Sequence, residues 1–223
     1  ASADGSTYIT YAVDSHEFYG ELIPTPARIH REGAMREVWE WDSGAFLGRI
    51  PQPEETYSVI GQMNEHQVAI GETTFGGREE LEKGNGIIDY GSLMFIALER
   101  SRTAREAIPV MTNLVAEFAY ASRGESFSIS DPAEAWLLEL ISKGPVKLGA
   151  VWVARKVPDG YISGHANQAR IQQFPLNQPK TTLYSPDVID FARKMGWYAG
   201  EDRDFSFADT YAPLDFGALR FCE

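Results

Sequence analysis

Alternating apolar and polar residues dominate the first third of the chain, and this period of two predicts short strands rather than helices. Asp4-Gly5-Ser6 has the make-up of a tight turn. Residues 7–13 behind it are rich in Thr, Tyr, Ile and Val, so they read as the second strand of a hairpin whose first strand is not in the chain. A loop with Pro24 and Pro26 follows. Residues 35–41, 56–62 and 67–74 then read as strands, with Met63-Asn64-Glu65-His66 as the tight connection between the last two. Gly76-Gly77 closes this block.

From there the period lengthens. Residues 91–100 place Leu93, Ile96, Ala97 and Arg100 at helical spacing. Thr103, with Glu106 three residues on, has the form of an N-cap. The run to Tyr120 keeps Ile108, Met111, Val115 and Phe118 near one face. Pro109 lies beyond the first turn, which predicts a kink there or a later helix start. Strand patterns return at residues 126–130, 135–141 and 149–155, separated by Asp131-Pro132 and Lys143-Gly144-Pro145. A last helix is expected over residues 186–195, with Ser185 as cap and Gly196 as terminator. Strands, two helices, strands and a helix, joined by hairpin-scale connections, place the chain in the α+β class. A layered α-β-β-α sandwich of two antiparallel sheets fits this order better than a doubly wound parallel sheet.

Composition narrows the function classes. The 223 residues carry 20 Lys+Arg against 32 Asp+Glu, a net charge of −12, which disfavours non-specific binding to nucleic acid or anionic lipid. No stretch approaches the roughly 18 consecutive apolar residues of a membrane span. The chain opens without Met and closes on Arg220-Phe221-Cys222-Glu223 within an apolar-flanked run. Residues 1–223 therefore read as a single core that continues beyond both ends, and the compartment stays open. Homo-oligomers remain compatible with this composition.

Most familiar chemistries find no pattern here. His16, His30, His66 and His165 never fall at helical ligand spacing, so no metal site is expected. Gly71, Gly76 and Gly77 form no phosphate-binding loop, and no cofactor is implied. There is no Gly-x-Ser-x-Gly elbow. Cys222, beside Phe221, reads as an inert buried thiol. What remains is a set of polar residues at strand ends and loops: Asp14, Asn64, Asn167 and Arg220. Taken singly, each also suits a turn, a cap or a surface position.

Together their surroundings form a pattern. Asp4-Gly5-Ser6-Thr7 before a strand ending in Asp14-Ser15 resembles the start of the dipeptidase A family of N-terminal-nucleophile cysteine hydrolases. So do Gly61-Gln62-Met63-Asn64-Glu65-His66, continuing through Gly71-Glu72-Thr73-Thr74, and Gly164-His165-Ala166-Asn167-Gln168-Ala169-Arg170. Ile88-Asp89-Tyr90-Gly91, Gly124-Glu125-Ser126-Phe127 and Phe205-Ser206-Phe207-Ala208-Asp209 are similar as well, in the family's order. Penicillin V acylase and bile salt hydrolase belong to the same wider group, which implies the α-β-β-α fold and cleavage of linear amides.

The resemblance implies an N-terminal cysteine thiolate whose own α-amine acts as general base. It implies that Asp14 orients that amine and that Asn64 offers its side-chain N–H groups to the oxyanion. It further implies that Asn167 orients the amine or the substrate amide, and that Arg220 tunes the field around the thiolate. Small peptides are the implied substrates. The chain departs from the pattern in two places: the Cys-Thr that carries the nucleophile would lie upstream of Asp4, and Tyr11 stands where relatives have an arginine. The chain alone is therefore expected to be inactive. Two other roles stay open: hydrolysis of N-acyl amides, and a non-catalytic, secernin-like binding role.

Overall fold

The computed structural model describes residues 2, 4–12, 22–82, 86–145 and 147–214. Twelve strands and four α-helices lie among them. The strands are β1 (Pro24–Thr25), β2 (Arg28–Ile29), β3 (Met35–Trp39), β4 (Phe46–Pro51), β5 (Glu55–Thr56), β6 (Val59–Ile60), β7 (Met63–Asn64) and β8 (Ala69–Gly76). After α1 (Tyr90–Arg100) and α2 (Ala104–Phe118) come β9 (Gly124–Ser130), β10 (Ala135–Ser142), β11 (Ala150–Lys156), β12 (Thr182–Tyr184), α3 (Val188–Lys194) and α4 (Phe207–Tyr211).

Eight of these strands form one antiparallel sheet in the order β1-β6-β7-β8-β9-β10-β11-β12, while β2-β5 and β3-β4 form two-stranded ribbons. The fold is thus α+β with antiparallel pairing, as the element order predicts. Among the described residues the large antiparallel sheet, with its helices, is consistent with the expected layered α+β sandwich.

Alternation along β10 divides the two faces. Trp136, Leu138 and Leu140 join Leu93, Ile96, Ile108 and Met111 in a core beneath α1 and α2. Leu137 and Ile141, with Val151 and Val153 of β11, join Val188, Phe191, Phe205 and Tyr211 beneath α3 and α4. Burying such side chains contributes about 1.5–3 kcal/mol each and outweighs weak local propensities. That is why α2 runs through Pro109: its buried stripe of Ala107, Ile108, Met111 and Val115 stays in register, and the helix begins at Ala104, not later. Thr103 caps it by accepting from the Glu106 N–H.

Other expectations need correction. Residues 7–12 form no strand ladder, although the Asp4-Gly5 turn is present, with the Ser6 N–H donating to the Asp4 carboxylate at 3.0 Å. β-Propensity supplies one side of a ladder, and among the described residues no partner strand supplies the other. The expected strand at 56–62 divides between a ribbon (β5) and the large sheet (β6). Met63-Asn64 is itself a strand, so the connection to β8 is residues 65–68, with Gln67 at φ 61°. The helix expected over residues 186–195, α3, is shorter than expected. Ser185 does not cap it; its hydroxyl accepts from the Trp152 N–H instead. Its end is as expected: Gly196, at φ 75°, closes a double cap in which Gly196 N–H reaches Arg193 O and Trp197 N–H reaches Ala192 O, each at 3.0 Å. Among the described residues no helix is long and apolar enough to cross a membrane.

Candidate active site

The face of the sheet opposite α1 and α2 changes character between neighbouring strands. Over β10 and β11 it is mostly apolar, with Glu139 and Arg155 as the charged exceptions. Over β8 and β9 it presents Gly71, Thr73, Ser126 and Ser128, with Gly71 opposite Ser128 and Thr73 opposite Ser126. Phe127, Ile129 and Ile70 point the other way, into the helical core. Small polar side chains leave room above this patch, and a cavity of about 550 Å³ opens there.

Two segments wall the cavity. One is residues 9–12, lying over Gly71: a Cβ at Gly71 would stand 3.3 Å from the Tyr11 Cβ and 3.5 Å from Ile9 Cγ2. The Thr7 hydroxyl fastens this segment to the Asp131 carbonyl. The other is residues 163–167. There Asn167 adopts φ 49°, a left-handed conformation that asparagine tolerates better than most side chains. Its backbone N–H donates to Thr73 Oγ1 at 3.0 Å and its side-chain Nδ2 donates to the Thr74 carbonyl at 2.7 Å. Among the described residues, the second side-chain N–H and the Oδ1 of Asn167, a residue that lines the cavity, have no further hydrogen-bond partner.

His165 closes the same wall. Its Nε2 lies 2.8 Å from Ser128 Oγ, and its Nδ1 has no hydrogen-bond partner among the described residues. Burial, and secondarily the nearby Arg170 charge, hold its pKa below the usual histidine value, so the imidazole is neutral at neutral pH.

Glu139 of β10 anchors the 163–171 segment from beneath. Its carboxylate accepts from the Arg170 N–H at 2.5 Å and the Ile171 N–H at 3.0 Å. Burial pushes its pKa up to about 7 against the pull of those two backbone donors and of Ser126. Because the folded-state pKa lies above the unfolded value of 4.5, the folded protein holds this proton where the unfolded chain has lost it. Stability from this group therefore declines as pH rises from about 4.5 to about 7 and is flat above, with a slope of at most about 1.4 kcal/mol per pH unit. Urea unfolding midpoints across that range are expected to show this slope in the wild type and to lose it in Glu139→Gln.

The sequence-derived candidates separate. Asn167 lines the cavity. Asn64 does not; it borders a different, mostly apolar hollow of about 450 Å³ with Pro24, Val59, Ile60 and Met63. Its side chain is buried and fully engaged: Nδ2 donates to Leu98 O and Ser101 O, both at 2.7 Å, and Oδ1 accepts from His66 N and Val68 N, both at 3.0 Å. With both N–H groups committed, Asn64 ties the 65–68 turn to the end of α1 and has none left for an oxyanion. Asp14 and Arg220 lie outside the described residues, as does Cys222. Among the described residues no three His, Cys, Asp or Glu come together in a group that could hold a metal ion.

Tyr11, Glu72, Thr73, Ser128 and His165 were not among the expected site residues. A signal for two of them exists: Thr73 and Ser128 sit on strands where small polar residues alternate with Ile70, Phe127 and Ile129.

Residues 21–223 match peptidase family C69. A "Probable dipeptidase" from Salmonella dublin is 24% identical, the match covering 95% of this chain and 51% of that protein. A "Probable dipeptidase" from Latilactobacillus sakei is 27% identical over 86% of this chain and 42% of its own length. A "Probable dipeptidase A" from Streptococcus pyogenes serotype M3 is 26% identical, over 86% and 43%. The chain thus spans about half the length of the curated relatives it matches.

Proposed function

The chain belongs to peptidase family C69, and from that premise we propose that the cavity over β8 and β9 is the substrate pocket of a dipeptidase working through an N-terminal cysteine. The observation that carries this reading is the Asn167 arrangement. Asn167 lines a cavity floored by Gly71, Thr73 and Ser128, and its amide keeps one N–H and one carbonyl oxygen, uncommitted among the described residues, to meet a peptide bond. Such a pre-set dipole stabilises charge developing on an attacked amide without reorganising in the transition state.

The role of the nucleophile follows from the chemistry. A cysteine thiolate adjacent to its own α-amine needs no histidine base, which suits a pocket whose histidine is neutral and turned to a serine. A thioester forms as the substrate's amine leaves with a proton from the α-amine, and water then releases the acid. Asp14 and Arg220 are proposed to orient the amine and tune the thiolate. Asn167 takes the oxyanion or orienting role at the substrate. The acidic charge of −12 supports small peptides rather than nucleic acid as ligands.

Hydrolysis of a mixed dipeptide panel by the full-length protein, read by mass spectrometry beside N-acyl amides of matched size, tests the reading. Release of free amino acids from dipeptides supports it. Cleavage of N-acyl amides alone would redirect the proposal to the acylase relatives, and a folded protein that leaves both classes intact would favour a binding role.

A further inference from the structure

Two hydroxyls on the cavity floor each accept a hydrogen bond from the wall and keep their own protons uncommitted. Ser128 stands opposite Gly71 and Thr73 opposite Ser126 in the β8–β9 ladder, so both side chains lie on the cavity face as diagonal neighbours. Thr73 Oγ1 accepts from the Asn167 backbone N–H at 3.0 Å and donates to no acceptor among the described residues. Ser128 Oγ lies 2.8 Å from His165 Nε2.

Burial of the other ring nitrogen decides which member of the Ser128–His165 pair is the donor. His165 Nδ1 is buried and has no partner among the described residues. A proton there would be an orphaned buried donor, so the neutral ring carries its proton on Nε2 and donates to Ser128. An imidazolium would donate through the same nitrogen. In either state the Ser128 hydroxyl accepts from His165, and its own hydrogen is left for an acceptor in the cavity.

A dipeptide brings two kinds of acceptor: the scissile carbonyl, which the Asn167 amide meets, and the terminal carboxylate. Diagonal neighbours across a strand pair stand about 7–8 Å apart. The two oxygens of one carboxylate, each taking an O–H···O bond of about 2.6 Å, bridge such a gap. Arg170, at the foot of the same loop, forms no ion pair among the described residues. Its charge reaches His165 more strongly than that of Glu72, which favours an anion at this end of the cavity.

Resting on the dipeptidase reading, we infer that Ser128 and Thr73 bind the C-terminal carboxylate of the substrate, and that His165 is a positioning residue that keeps Ser128 a donor. The consequence is selection for peptides that end one residue beyond the scissile bond, and against those whose carboxyl group is amidated or extended.

The test compares alanyl-alanine with alanyl-alaninamide, in which a neutral amide replaces the carboxylate. Full-length wild type, Ser128→Ala, His165→Leu and His165→Gln are each assayed for kcat and KM on both. Wild type is expected to prefer the free acid by roughly 10- to 100-fold in kcat/KM, the size of one charge-assisted hydrogen bond. Ser128→Ala is expected to lose most of that preference, through KM on the acid. Ser128→Cys, which keeps the shape but is a weaker donor, reads the same loss where the Ala variant does not fold. His165→Leu loses part of the preference, and His165→Gln, whose side-chain N–H still serves Ser128, restores part of it. A wild type that does not distinguish the two substrates, or a Ser128 variant that slows both equally or keeps the preference, overturns the inference while leaving the dipeptidase reading intact. An unchanged preference in His165→Leu overturns the positioning role. If wild type turns over neither substrate, the dipeptidase reading fails. Calorimetric binding of the same pair then decides the role of Ser128, which is overturned if the carboxylate or the Ala exchange makes no difference to affinity.

Discussion

Alanine in place of Asn167 is expected to lower kcat on dipeptides by roughly 10²–10³-fold, the usual cost of removing one pre-set donor to a developing oxyanion. Circular dichroism and thermal melting of that variant should stay close to wild type. The side chain is exposed, and the loop keeps its other fastenings: the Asn167 backbone bond to Thr73 and the Glu139 carboxylate under residues 170 and 171. A modest penalty is expected from the left-handed backbone at Asn167, which alanine tolerates less well. Asn167→Gly removes that penalty, so matching kcat losses in the Ala and Gly variants would assign the effect to the amide group itself. Unchanged kcat in both would remove Asn167 from the chemistry.

Asn64→Ala is expected to do the opposite. It strands two carbonyls, Leu98 O and Ser101 O, and two amides, His66 N and Val68 N, in a buried setting. Each stranded group costs about 1–3 kcal/mol. With partial relaxation of the turn, the variant is expected to lose about 3–5 kcal/mol. At about 2–4 °C per kcal/mol for a domain of this size, Tm falls by about 6–20 °C. The fraction that remains folded should retain kcat/KM within a few fold of wild type. An Asn64→Ala protein that melts normally but has lost turnover would return the oxyanion role to Asn64 and refute the structural one.

The contrast between these two asparagines marks how far the sequence was legible. Helices α1 and α2 could be read because Leu93, Ile96, Ile108 and Met111 recur at helical spacing and Thr103 supplies a cap. β9, β10 and β11 could be read because their alternation is long enough to set a period. The two-residue strands β1, β2, β5, β6 and β7 are too short to carry any period, and the ribbon strand β4 pairs with β3 through an irregular register at Val38 and Trp39 that masks its pattern. For the site, a motif identifies residue types but not what their atoms touch. Asn64 stands in a specific-looking segment, yet its amide closes a turn onto a helix end 34 to 37 residues away in sequence. Thr73 and Ser128 carry no local mark of a site, because only the loop at 163–167, folded back from far along the chain, turns that face into a cavity. The Tyr11–Glu72 contact joins residues 61 apart, and no local pattern announces it.

The central claim is that this fold serves an N-terminal cysteine acting over the Asn167 cavity. The most direct measurement is iodoacetamide alkylation of the full-length protein, followed in parallel by peptide mass mapping and by dipeptide hydrolysis. Activity is predicted to vanish in step with carboxamidomethylation of a cysteine at the mature N-terminus, to be protected by saturating dipeptide, and to be indifferent to labelling of Cys222. Hydrolysis that survives complete alkylation, or that is lost only when another residue reacts, would contradict the account.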